Sequence, residues 1–185
     1  MKQSFSVKGL AFCGVCIALA FVMSFVKLFS APLGGSVTLC SMFFICVIGY
    51  FYGWKYSLTA AFAYGLLQFV QKPDIYSPMQ VIIDYFCAFT ALGLSGFFRK
   101  SKAGLYIGYL AGVTGRFIFS SISGYVFFAE YAPEGWNPLI YSLCYNGSYI
   151  YIEAAITLVI IAIPAVEHAI ERIRNTVIQA PVPKY

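Results

Sequence analysis

Charged side chains are sparse in this chain and fall at intervals, so that they cut it into apolar blocks. Residues 9–26 carry no charge at all. With about 20 apolar residues as the measure of one bilayer crossing, the blocks predict helices at 9–27, 36–54, 56–72, 79–98, 104–129 and 138–166. Connections as short as Lys55, or the run from Arg99 to Lys102, predict neighbouring helices packed as antiparallel hairpins. No internal repeat or low-complexity segment interrupts the pattern. The expected architecture is one all-α membrane domain over residues 1–185 with six transmembrane helices.

Composition narrows the class. Of the 185 residues, 61% are hydrophobic and 10% charged, and the mean hydropathy is +0.79. A water-facing surface draws on about 25% charged residues, which excludes a soluble globular enzyme, a disordered chain and a nucleic-acid binder. The net charge of +5 reads as topology. With the N-terminus in the cytoplasm, the inner segments hold Lys2, Lys8, Lys55, Arg99, Lys100, Lys102, Arg172, Arg174 and Lys184. The outer segments hold Lys27 and Lys72. Nine cations against two place both termini in the cytoplasm. The six cysteines lie in apolar runs, where Cys behaves as a small hydrophobe. Cys13-x-x-Cys16 lacks the His or second Cys pair that a metal site needs, so neither a metal nor a cofactor is expected.

Against this apolar background the polar residues inside the spans stand out. Asp84 lies one turn into the fourth block and Glu153 lies within the sixth. An ionisable group at the centre of a span costs about 2.5–3.5 kcal/mol on insertion scales and marks a partner, a cavity or a pathway. Arg116 in the fifth block could pair with either acid and hold helices together, but one guanidinium leaves a second carboxylate to explain. Gln80 and Asp84 share a helix face at i, i+4, and Asn146, Tyr149 and Glu153 share another. Aromatics gather at the same level, among them Tyr76, Tyr85, Phe128, Tyr141, Tyr145 and Tyr149. Trp136 and Tyr131 fit an interfacial aromatic belt. Carboxylates among aromatic faces suit a flat organic cation, bound by stacking, cation–π attraction and charge pairing.

Chemistry and transport make different demands. Gly93-Leu94-Ser95-Gly96 matches the G-x-S-G around an intramembrane serine protease nucleophile, which needs a general base at the same depth. The single His, His168, lies beyond the last block among Glu167, Glu171 and Arg172. H-E-x-x-H is absent, as is G-x-x-x-x-G-K-[ST], so ATP hydrolysis would have to come from partner proteins. Gly14 and Ala18 form a small-xxx-small face on the first helix, of the kind that admits a close neighbour.

Several segments resemble the thiamine-specific substrate-binding subunits of energy-coupling-factor vitamin transporters, over roughly residues 10–165. They are Gly34-Gly35-Ser36-Val37 entering the second helix, Tyr64-Gly65-Leu66-Leu67-Gln68 in the third, and Gln80 through Asp84-Tyr85 opening the fourth. The run Tyr131-Ala132-Pro133-Glu134-Gly135-Trp136-Asn137-Pro138 continues the match, with Tyr141-Ser142-Leu143 and Tyr145-Asn146-Gly147-Ser148-Tyr149 after it.

The resemblance implies a six-helix bundle in the bacterial cell membrane, with the vitamin near the outer surface under a lid formed by the loop between helices one and two. It implies that Asp84 meets the thiazolium, with Gln80 and Tyr85 beside it, and that Tyr141 and Asn146 hold the aminopyrimidine. Tyr145 and Glu153 complete the expected substrate-binding set, together with Ser120 and Phe128. At these last two positions the family often carries His and Trp, and the Trp that some members have in the first outer loop is replaced by Gly34 and Gly35. A membrane-embedded scaffold subunit, docking on Gly14 and Ala18, and two cytoplasmic ATPases are the implied partners. Three readings follow: thiamine uptake, uptake of another vitamin or of a thiamine precursor such as a hydroxymethyl pyrimidine, and an intramembrane protease using Ser95.

Overall fold

The computed structural model describes residues 6–101 and 103–179. Helix α1 (Val7–Ser24) starts at Ser6, whose hydroxyl accepts the Gly9 N–H at 3.0 Å and satisfies one of the orphan donors of the first turn. Beyond α1 the chain stays extended. Strands β1 (Lys27–Ser30) and β2 (Ser36–Thr38) form an antiparallel hairpin in which Ser30 opposes Ser36 and Lys27 opposes Thr38. The tip is a 3₁₀ turn over Pro32–Gly34. The helix expected from residue 36 therefore begins later, as α2 (Ser41–Tyr52), after Cys40 takes a φ of 58°. Pro32-Leu33-Gly34-Gly35 is turn chemistry, and Val37 and Thr38 are β-branched residues that fit a pleated strand.

Helix α3 (Trp54–Gln71) follows α2 with only Gly53 between them, at φ 89°. Helix α4 (Pro78–Phe98) is capped by Ser77, whose hydroxyl accepts the Met79 and Gln80 N–H groups. It is not uniform. A π-helical stretch covers Ile82–Cys87, and the last eight residues, Ala91–Phe98, wind as a 3₁₀ helix. Helix α5 (Gly104–Phe127) and helix α6 (Pro138–Ile161) come next, α6 capped by Asn137, whose Oδ1 accepts the Leu139 N–H at 2.8 Å. The expected block 138–166 breaks at Ala162-Ile163. Pro164 cannot donate to the preceding turn and instead opens α7 (Pro164–Gln179).

Seven helices of ten residues or more are thus present among the described residues, where six were expected. Four of them, α1, α4, α5 and α6, are long and apolar enough to cross a membrane, whereas α2 has 12 residues. Exposed apolar side chains such as Val15, Val22, Ile118, Ile122 and Val159 face outward from these helices. That is the surface a bilayer requires and water penalises.

Helix α4 sits centrally, packed on α2, α3 and α5, while α1 leans on α2 and α3, and α6 on α5. Glycines permit the close approach. A Cβ at Gly93 would lie 2.6 Å from the Leu58 Cα, and one at Gly96 would overlap the Trp54 backbone. One buried cluster surrounds Met42, Ile45, Tyr64, Leu92, Tyr109 and Ile150, and a second surrounds Cys16, Ile48, Phe51, Tyr56 and Ile161. Helix α7 is held at the far end by Arg174, which donates to the Tyr50 hydroxyl at 3.0 Å with its guanidinium over the Tyr50 ring. Lys8, Lys55, Arg99, Lys100, Arg172 and Arg174 belong to this end of the bundle, and Lys27 and Lys72 to the other. Lys2, Lys102 and Lys184 lie outside the described residues.

Candidate ligand-binding site

A cavity of about 220 Å³ opens at the end of the bundle where α1, α3 and α5 finish. Its walls come from α3, α4, α5 and α6, and the β1–β2 hairpin forms its roof through Gly34, Gly35, Ser36 and Thr38. All nine side chains singled out in the sequence as substrate-binding, Gln80, Asp84, Tyr85, Ser120, Phe128, Tyr141, Tyr145, Asn146 and Glu153, line this one space.

On α4, Asp84 lies in the π-helical stretch, a distortion that breaks the regular i→i−4 ladder and is frequent at functional sites. Gln80 is buried, and both ends of its amide are engaged. Its Oε1 accepts the Tyr76 N–H at 3.2 Å, which directs its Nε2 to donate to Asp84 Oδ2 at 2.7 Å. The amide therefore aims the carboxylate and occupies one of its oxygens. Tyr85 faces the cavity while its hydroxyl donates to the Lys72 carbonyl at 2.7 Å and accepts the Asp74 N–H at 3.1 Å. That ties the α3–α4 loop to α4. Lys72 and Asp74 form a rim ion pair at 3.1 Å, with both side chains more than half exposed.

On α6 the polar groups divide into two sets. Asn146 is buried, donates to the Ser142 carbonyl at 3.0 Å and accepts from the Tyr149 hydroxyl at 2.7 Å. Tyr141 stacks on Tyr145 with centroids 6.1 Å apart, and Phe128 lies between Tyr76 and Tyr131 at 5.5 and 6.1 Å. Of these rings, Phe128, Tyr141 and Tyr145 line the cavity and supply its flat apolar faces. Glu153 differs. Its two oxygens accept from Thr38 N, Thr38 Oγ1, Ser41 Oγ and Met42 N at 2.7–3.3 Å, so the roof and the start of α2 take up its lone pairs. Tyr145 also reaches the roof, with its hydroxyl accepting the Gly35 N–H at 3.0 Å and donating to the Pro32 carbonyl.

Arg116, whose partner the sequence leaves open, also lines the cavity. It makes no ion pair with Asp84 or Glu153 among the described residues. Its guanidinium lies over the Phe89 ring, 4.4 Å from the centroid, and its Nε is buried without a hydrogen-bond partner. The charged groups that line the cavity balance, with Asp74, Asp84 and Glu153 negative and Lys27, Lys72 and Arg116 positive; Lys72 and Asp74 pair at the rim, and Glu153 is taken up by the roof. Tyr64, Gln68 and Ser142 also line the space and were not singled out for it. The signal for them was a polar atom on an apolar helix, visible only once the facing helix is known.

Ser95 is buried 1% exposed against Ser57, their hydroxyls 3.1 Å apart, and does not line the cavity. His168 is exposed on α7, so the Ser95 protease reading lacks its base. Gly14 and Ala18 are exposed on α1, and a Cβ at Gly14 would meet nothing within 4 Å.

Residues 10–172 match the family model described as "Thiamine transporter protein (Thia_YuaJ)". The chain is 33% identical over 166 residues to the thiamine transporter ThiT of Bacillus subtilis, covering 80% of this chain and 85% of that one. It is 29% identical over 121 residues to the ThiT of Lacticaseibacillus paracasei, covering 56% and 60% of the two chains. The solved structure of ThiT from Listeria monocytogenes superposes with a TM-score of 0.70 at 24% identity, covering 94% of each chain, which is a likeness of fold.

Proposed function

Because the chain belongs to the thiamine transporter protein family, we propose that it binds thiamine in the cavity under the β1–β2 hairpin, as the substrate-binding subunit of an energy-coupling-factor transporter. Thiamine is a flat aminopyrimidine joined to a permanently cationic thiazolium. One observation carries the assignment of the site. Asp84, aimed by Gln80, has no ion-pair partner among the described residues and lies in a space walled by aromatic faces. The thiazolium lies against Asp84, and Tyr141 and Asn146 meet the aminopyrimidine. Ser120 on α5 and Phe128 just beyond its end supply polar and stacking contacts. A cation gives the Asp84 carboxylate an ion-pair partner, and the aromatic faces attract it through their quadrupoles.

Helices α1 to α6 form the transmembrane bundle, with the cavity facing outward and both termini in the cytoplasm. The distribution of Lys and Arg supports that orientation. As the resemblance to energy-coupling-factor subunits implies, two cytoplasmic ATPases drive uptake through a membrane-embedded scaffold, which agrees with a sequence that holds no phosphate-binding G-x-x-x-x-G-K-[ST] loop. That scaffold docks on the small-residue face of α1 at Gly14 and Ala18.

Calorimetric titration of the detergent-solubilised chain with thiamine, and separately with its pyrimidine and thiazole fragments, tests the reading. Tight binding of intact thiamine supports it, and binding of the pyrimidine alone moves the substrate to a precursor. Replacing Asp84 by Asn weakens thiamine by about 2–5 kcal/mol, the cost of leaving one member of a buried charge pair alone. An unchanged affinity would remove Asp84 from the site.

A further inference from the structure

The roof over the cavity is a short hairpin, and its own backbone bonds hold it together but do not hold it down. β1 and β2 pair with each other, Ala31 N donates to the Gly35 carbonyl at 2.7 Å, and Leu39 N donates to the Val26 carbonyl at 3.1 Å. All four residues of β1 are exposed. A two-stranded ribbon of this length is marginal alone, so its position depends on what it touches.

The side-chain hydrogen bonds that seat it come from α6 at two levels. At the tip, the Tyr145 hydroxyl holds both the Gly35 N–H and the Pro32 carbonyl. About two turns further along α6, the buried Glu153 carboxylate takes four hydrogen bonds from Thr38, Ser41 and Met42 at the base. The tip is shaped for this seat. Gly34 has a φ of +94°, which a side chain disfavours, and a Cβ at Gly35 would lie 2.7 Å from the Tyr149 ring and 2.8 Å from the Tyr145 hydroxyl. The two attachments differ in kind. The base is buried, charged and bonded four times, whereas the tip is hydrogen-bonded through one partly exposed hydroxyl and otherwise only packs, on Tyr149 and beside the Lys72–Asp74 pair.

We propose that Tyr145 is the latch of the roof and Glu153 its hinge anchor, so that the cavity opens by release of the Tyr145 contacts while the Thr38–Met42 segment stays fixed. In this role both act through the hairpin, as positioning residues. The inference rests on the cavity being the ligand site. It assigns ligand retention to a phenol that the ligand need not touch. Tyr145→Phe keeps the ring that stacks on Tyr141 and removes only the hydroxyl.

The test uses the full chain with the exposed Cys144 and half-buried Cys87 replaced by Ser, and nitroxide labels at Ser30 on β1 and Ile140 on α6. In the absence of ligand, pulsed electron–electron resonance gives one short distance for the parent chain. It gives an added longer population for Tyr145→Phe, and no such change for Tyr141→Phe. Stopped-flow kinetics then show thiamine leaving Tyr145→Phe about tenfold faster, as the loss of hydrogen bonds of ordinary strength predicts, with association nearly unchanged. A distance distribution for Tyr145→Phe identical to that of the parent overturns the latch. If thiamine does not bind the parent chain, the proposed function fails, and the ligand-free distances still decide the latch.

Discussion

Asp84 owes its setting to one amide. Gln80 cannot rotate its Nε2 away without turning Oε1 off the Tyr76 N–H, so the backbone just before α4 fixes the direction of the carboxylate. Replacing Gln80 by Leu removes the aim and keeps the bulk. Hydrogen bonds to charged groups contribute about 1.5–3 kcal/mol, so thiamine binding should weaken by roughly that amount while the melting temperature stays near the parent value. Calorimetry beside a thermal melt checks both. Glu153→Gln should reverse that balance. A carboxamide offers one acceptor where four donors converge, and a buried donor left without a partner costs about 1–3 kcal/mol. The loss should appear in thermal stability. Of the residues around the cavity, Asp84 and Glu153 were legible because a charge in an apolar helix demands a reason. The purpose of Glu153 was not, since Thr38, Ser41 and Met42 lie 111–115 residues away. Arg116 shows the limit most plainly. Pairing with an acid is the cheapest inference for a lone guanidinium, and the fold turns it onto the face of Phe89 instead.

At the scale of elements, charge spacing located α3, α4 and α5 within two residues at every end, because solvated Lys, Arg and Asp residues punctuate apolar helices wherever they leave the bundle. It failed where apolar residues do something else. Val37 and Thr38 were counted into a helix, yet Pro32 and the two glycines after it had already supplied a turn. The break before α7 rests on Pro164, and the mixed winding of α4 has no local signature. Its 3₁₀ half follows from packing, with Gly93 and Gly96 pressed against the backbone of α3. A methyl group added at Gly96 should therefore cost about 1–3 kcal/mol by overpacking. The expected result is a lower melting temperature for Gly96→Ala with thiamine affinity retained in the folded fraction. An unchanged melt would mean that the two helices separate easily.

For the whole molecule the decisive quantity is which end faces the cytoplasm. Single cysteines at Gly135 and Ser101, in a background with Cys87 and Cys144 replaced, should report it in intact cells. A membrane-impermeant maleimide should label Gly135→Cys directly and Ser101→Cys only after permeabilisation, and the opposite pattern would invert the proposed topology. The 3₁₀ half of α4 has a further consequence at this scale. Three residues of 3₁₀ helix rise about 6.0 Å and four residues of α-helix rise about 6.0 Å. Gly93 and Gly96 are three apart and seat on Leu58 and Trp54, which are four apart. The two helices thus mesh like racks cut to the same tooth spacing. One extra residue between Gly93 and Gly96 would put every later tooth out of step, so axial slip of α4 along α3 is blocked at this end of the bundle.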